Sequence, residues 1–255
     1  SGCGLRCHDA CGAAAHDDHV GVVLGHTRRR TTDSHTSHYA RALERLEMRR
    51  PTKYTFSARL YDMISFEWPV YRAGREAAFE LLNLPAGSHV LDLGCGTGLN
   101  FAGLQRMVGP IGSITGIDAS PQMLEQARQR ADRAGWNNVT LVAADATALA
   151  SADLGKRAPF DAALSTYALS LMTPWQAALD SMIAATRVGG VVAVVDMQRP
   201  VGRAAVWTPL AKLACRLGGA DIEAHPWTAM TPRLQPLNSA SVRGGHIQVR
   251  VGTVS

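Results

Sequence analysis

No apolar run in this chain approaches the ~20 residues needed to cross a bilayer. The short stretch Val20–Leu24 follows several charged residues and is too brief for the core of a secretory leader. Neither a membrane span nor an export signal is expected, and a cytoplasmic protein is. Cysteine is scarce, with five residues, odd in number and scattered, which argues against a disulfide framework. The paired C-x-x-C of zinc sites is missing. Cys3, Cys7 and Cys11 recur every four residues near His8, His16 and His19, but that spacing does not build a paired ligand set. No metal is expected.

What is present is apolar mass and a lopsided charge. With 46% hydrophobic residues in 255, the chain can form one sizeable α/β domain with extensions, but not two domains of average size. The formal net charge is +5, and the excess is concentrated in Arg28–Arg30, Arg41, Arg45, Arg49, Arg50 and Lys53. A basic amino-terminal third suits nucleic acid, an anionic membrane face or an acidic substrate, and equally a solvated helix face.

Along the chain, residues 1–37 lack sustained periodicity and read as a disordered extension. Residues 38–85 read as a helical cap or lid. In its first helix, to about Arg49, Tyr39, Leu43 and Leu46 share one side and Arg41, Arg45 and Arg49 another, and Pro51 ends it. A second helical stretch holds Leu60–Ile64 and a third runs from about Tyr71 to Leu84. Strand and helix then alternate over 86–200, which predicts a Rossmann-like, doubly wound, mostly parallel sheet. The predicted strands are His89–Leu93, Ser113–Ile117, Val139–Ala143, Phe160–Leu164 and Val191–Val195. Helices are expected from Leu99, from Ser120 as N-cap with Pro121 first and Gly135 past the end, and over Pro174–Thr186. Residues 201–255 complete the sheet and the substrate pocket, with a helix around Ala204–Leu217 and a final antiparallel strand over His246–Val251.

The chemistry concentrates at Val90-Leu91-Asp92-Leu93-Gly94-Cys95-Gly96-Thr97-Gly98. A buried strand ending in glycines at alternate positions lets a ligand lie directly on backbone, and the next helix points free N–H groups at it. The spacing is G-x-G-x-G rather than the G-x-G-x-x-G of nicotinamide and flavin folds. Twenty positions past Gly98, Asp118 closes the next apolar strand, where a carboxylate can accept from both hydroxyls of an adenosine ribose.

From about Tyr54 onward the chain resembles the class I S-adenosylmethionine (SAM)-dependent methyltransferases. Four signals in order carry the resemblance, namely Val90–Gly98, Gly116-Ile117-Asp118, Ala144-Asp145-Ala146 and Phe160–Leu164, followed by the Gly189-Gly190 turn. It implies a seven-stranded sheet and a cofactor site built from Asp92, Gly94, Cys95, Gly96, Gly98, Asp118, Ala119, Met123, Asp145, Ala146 and Ser165. S-adenosylhomocysteine (SAH) would be the product. Within this resemblance Asp92 orients the loop and reaches the cofactor's amino group, Asp118 takes the ribose, Met123 packs on adenine and Asp145 accepts from its amino group. Phe56-Ser57-Ala58-Arg59-Leu60-Tyr61-Asp62 is similar to the cap of quinone C-methyltransferases and phospholipid-type N-methyltransferases. That likeness implies a small-molecule or lipid acceptor, a quinone-like ring or a headgroup amine. Candidates for a base or a pocket wall are Tyr61, Tyr167, His225 and His246. The basic helix could hold the enzyme peripherally on an anionic bilayer. Ser165-Thr166-Tyr167-Ala168 stands where amino-methylating nucleic-acid enzymes carry Asp/Asn-Pro-Pro-Tyr, which counts against nucleic acid. Methylation of nucleic acid or protein and non-catalytic SAM binding are the alternatives.

Overall fold

The structure, a computed structural model, describes residues 71–149, 151–154 and 158–255. The extension at 1–37, the arginine-bearing helix and Tyr61 lie outside the described residues, as do the cysteine and histidine run.

Among the described residues, seven strands form one sheet in the order β3-β2-β1-β4-β5-β7-β6. They are β1 (His89–Leu93), β2 (Ser113–Asp118), β3 (Val139–Ala143), β4 (Phe160–Thr166), β5 (Thr186–Met197), β6 (Gln235–Val242) and β7 (Ile247–Thr253). β1 to β5 pair in parallel, and β7 runs antiparallel to both β5 and β6. The expected doubly wound, seven-stranded sheet with an antiparallel last strand is what forms.

The pleat explains the two-sided core. Val90 faces the layer of α1 (Arg72–Leu82), α2 (Phe101–Val108) and α3 (Pro121–Ala134), where Phe101, Leu104 and Ile114 are fully buried. Leu91 and Leu93 face the opposite layer, with α4 (Trp175–Ala185) and the fully buried Leu179 and Met182. Strands buried on both faces read as continuous apolar runs, which is why β1, β4 and β5 were legible. In α3, Ser120 Oγ accepts from the Met123 N–H at 3.4 Å and Gly135 ends the helix with φ of 70°, as its capping residues predict.

Several elements differ from expectation. α2 begins at Phe101 rather than Leu99, because Gly98 has φ of +77° and keeps the chain in the turn. β5 begins at Thr186, so Gly189-Gly190 lies within the strand, where the register against β4 jumps from Phe160↔Thr186 to Ala162↔Val191. The helix expected around Ala204–Leu217 splits into a 3₁₀ stretch, Gly202–Trp207, and α5 (Thr208–Gly218) with Pro209 in its first turn. β6 was missed altogether. Its Pro236, Asn238, Ser239 and Ser241 suit an edge strand exposed on one side.

Candidate active site

The strand order reverses beside β1, whose neighbours β2 and β4 send their following helices to opposite faces of the sheet. Doubly wound sheets bind ligands at such a point, beyond the carboxyl ends of the strands. A cavity of about 410 Å³ lies there, lined by the glycine loop, Asp118, Ala119, Ser120, Met123, Asp145, Ala146 and the turn after β4.

Backbone hydrogen bonds hold the loop. The Gly94 and Cys95 N–H groups both donate to the Ile117 carbonyl, at 2.8 and 2.9 Å. Gly94, Gly96 and Gly98 all have positive φ, a conformation side chains resist. A Cβ at Gly96 would meet nothing within 4 Å, so backbone faces open space there. Asp118 ties the loop to α3, with one carboxylate oxygen accepting from Gly96 N–H and the other from Ser120 N–H, each at 2.9 Å. Burial pushes this carboxyl above its usual range, and the two backbone donors oppose that shift. Asp145 is exposed at the rim, accepting from the backbone and hydroxyl of Thr147 at 2.8 and 2.7 Å.

A buried polar network lines one wall of the cavity and reaches Asp92 behind it. Arg75 Nη1 donates to Thr166 Oγ1 at 3.1 Å. Asn100 Nδ2 donates to Thr166 Oγ1 at 3.1 Å and to Asp92 Oδ1 at 2.8 Å. Asp92 is fully buried and its Oδ2 has no partner. Burial pushes its carboxyl up to about 7, against the lowering effects of Asn100 and Arg75.

Gly94, Cys95, Gly96, Asp118, Ala119, Met123, Asp145, Ala146 and Tyr167 thus line one cavity. Asp92, Gly98 and Ser165 do not, since Asn100 stands between Asp92 and the opening. Ser165 points to the opposite face, its buried hydroxyl unpartnered, and Thr166 occupies the cavity side. Tyr167, at φ of +57°, donates its hydroxyl to the Tyr71 carbonyl at 2.7 Å. His246 lies off the cavity, its Nδ1 2.5 Å from the Gln198 carbonyl, and burial lowers its pKa. His225 packs on Trp227, ring centroids 5.0 Å apart, also off the cavity. Sequence reasoning missed Arg75 and Asn100, and it named none of the α5 residues Ala214, Cys215, Leu217 and Gly218 that line the cavity with Met172 and Met197. Thr166, expected with Ser165 and Tyr167 beside the acceptor, does line it.

Tyr167 needs Gly74. A Cβ there would collide with the Tyr167 hydroxyl and crowd Ile247. Gly74→Ala is therefore expected to cost about 2 kcal/mol of stability by overpacking. Denaturant titration should show a smaller penalty in a Tyr167→Phe background, where the colliding oxygen is gone. An equal penalty in both backgrounds would contradict the contact.

The donor set fits the two ends of SAM. Bare glycine backbone facing the cavity suits close approach of its amino-acid tail, and Asp118 is placed for vicinal hydroxyls. Comparisons with known proteins agree. A family described as a methyltransferase domain matches residues 90–190. A demethylmenaquinone methyltransferase from Staphylococcus aureus is 32% identical over 142 residues, 56% of this chain and 56% of that protein. The chain thus spans about half the length of the curated relatives it matches. A SAM-dependent methyltransferase from Aquifex aeolicus has a similar fold at 16% identity and a TM-score of 0.51, over 76% of this chain and 93% of that one. A [4+2]-cyclase also shares the fold at 23% identity and a TM-score of 0.51, over 66% and 58% of the two chains. Residues 90–190 thus match a methyltransferase domain, and the chain shares the fold of a SAM-dependent methyltransferase; that family match and fold imply SAM as cofactor and SAH as product.

Proposed function

We propose that the protein transfers a methyl group from SAM to a small-molecule or lipid acceptor, a quinone-like ring or a headgroup amine. The observation that carries this is the division of the cavity. The side over β1, β2 and β3 offers bare glycine backbone and the Asp118 and Asp145 carboxylates, and the other side offers Tyr167, Met172, Met197 and the apolar residues of α5.

When bound, SAM supplies an electrophilic methyl on a sulfonium, and much of the acceleration comes from position and exclusion of water. The protein's residues serve those ends. The glycine loop and Asp118 fix the donor, while Met172, Met197 and Leu217 keep the acceptor side dry. The carboxylates lining the cavity among the described residues are Asp118 and Asp145, both on the donor side. On the acceptor side, burial and Asp196 hold the Cys215 thiol up at about 11, and the Tyr167 proton is committed to Tyr71. An acceptor that arrives with its lone pair ready, such as a neutral amine or an acidic ring hydroxyl, needs no base from these walls.

The quinone-related relative supports the ring reading. The polar amino-terminal third, with its arginine row, supports peripheral contact with an anionic bilayer. No helix among the described residues is long and apolar enough to cross a membrane. The test is incubation with methyl-labelled SAM and a panel containing a reduced quinone, an aminolipid, RNA and protein. Label is expected in the lipid-extractable fraction. Label confined to RNA or protein would overturn the acceptor class. The fold's occurrence in a cyclase is a reason to test turnover itself, and binding without SAH formation would favour a non-catalytic SAM protein.

A further inference from the structure

We infer that α5, with the 3₁₀ stretch before it, is a membrane-docking face that seats the cavity mouth on an anionic lipid surface. This rests on the proposed lipid-accessible acceptor side but concerns a different segment of the chain from the arginine row.

Large apolar side chains in this segment point outward. Val206 is 74% exposed, Trp207 63%, Leu210 54%, Leu213 53% and Leu217 80%. Leu210, Leu213 and Leu217 stand three and seven residues apart, so they form one stripe on the helix. Isolated exposed apolar residues are ordinary, but five within twelve residues, three of them in one helical stripe, mark an interaction site. The opposite face packs inward through Cys215, which is buried and donates to the Met197 sulfur at 3.4 Å.

Charge decides the partner. Arg203, Lys212 and Arg216 are exposed in the same segment, and the sequence holds no acidic residue between Asp196 and Asp221. A cationic, apolar helix suits the boundary between anionic headgroups and acyl chains. A second copy of the chain would bring the same cations face to face across a two-fold axis, which is unfavourable. The cavity supplies the link to function, because Leu217 is both the most exposed of these residues and part of the cavity wall. Leu217 therefore joins the exposed stripe to the acceptor chamber, a path for an acceptor that never leaves the lipid.

The test is sedimentation of the full chain with phosphatidylcholine vesicles, with and without about one-third phosphatidylglycerol. The wild type is expected to pellet with the anionic vesicles. Trp207→Ala/Leu213→Ser, outside the cavity wall, should lower that partition about tenfold, and Lys212→Glu/Arg216→Glu should abolish the anionic preference. Thermal melts and SAM calorimetry are expected to be unchanged, separating this result from any failure of the cofactor site. Wild-type partition in both variants would move the contact to another surface, such as Arg41–Arg49, and overturn the inference. So would absence of vesicle binding, or a wild-type dimer that the variants split. None of these readouts requires turnover, so the methyl-transfer reading stands or falls separately.

Discussion

Replacing Asp118 with alanine is expected to weaken SAM and SAH binding about a hundredfold, on the order of 3 kcal/mol. Two losses combine. The cavity loses the carboxylate placed for the ribose hydroxyls, and the Gly96 and Ser120 N–H groups lose their acceptor. Because those amides hold the glycine loop against α3, the tail end of the site loosens with the sugar end. Asp118→Asn keeps one acceptor oxygen but turns an amide donor toward the other N–H, so its affinity should fall between the two. Calorimetry reads both. Unchanged affinity in Asp118→Ala would remove the carboxylate from the site.

The second large effect is a pH dependence seated in Asp92. Folded, this carboxyl keeps its proton to about pH 7; unfolded, its value is near 3.8. Between those values the folded state binds more protons than the unfolded one, so stability is highest below the unfolded value and falls as pH rises. By linkage the loss is on the order of 4 kcal/mol across that interval in the ligand-free protein. Other groups titrate as well, so the comparison is with Asp92→Asn, which has no proton to lose there and keeps an oxygen for Asn100. Denaturant titrations at pH 4 and pH 7 should show the variant gaining on the wild type as pH rises. Parallel curves would mean that Asp92 is solvated in solution.

The parts of this molecule legible in sequence are those fixed by local rules. β1, β4 and β5 are apolar runs because both faces are covered, and α3 announces itself through Ser120, Pro121 and Gly135. The glycines at 94, 96 and 98 mark a turn that side chains resist, and they led directly to the cavity. What escaped depends on parity or on distant contacts. Ser165 and Thr166 differ by one residue, and the pleat puts only Thr166 on the cavity side. Arg75, Asn100 and Thr166 meet across separations of 91 and 66 residues, which only the strand order brings together. Asn100 did leave a trace, as a polar residue between Leu99 and the apolar first turn of α2. β6 escaped because an edge strand with Pro236 and three short polar residues looks like a loop until β7 pairs with it. The helix of the acceptor wall was expected in the pocket-forming segment, but its lining residues were not legible, since alanine and leucine spacing says which face is apolar but not what that face meets.

A crystal structure with SAH bound tests the central claim most directly. The sugar should lie against the Asp118 carboxylate, the adenine between Met123 and Asp145, and the amino-acid tail over Gly94 and Gly96, with the sulfur facing Tyr167. Density for SAH anywhere other than the carboxyl ends of β1 and β2, with that cavity filled by side chains, would contradict the account.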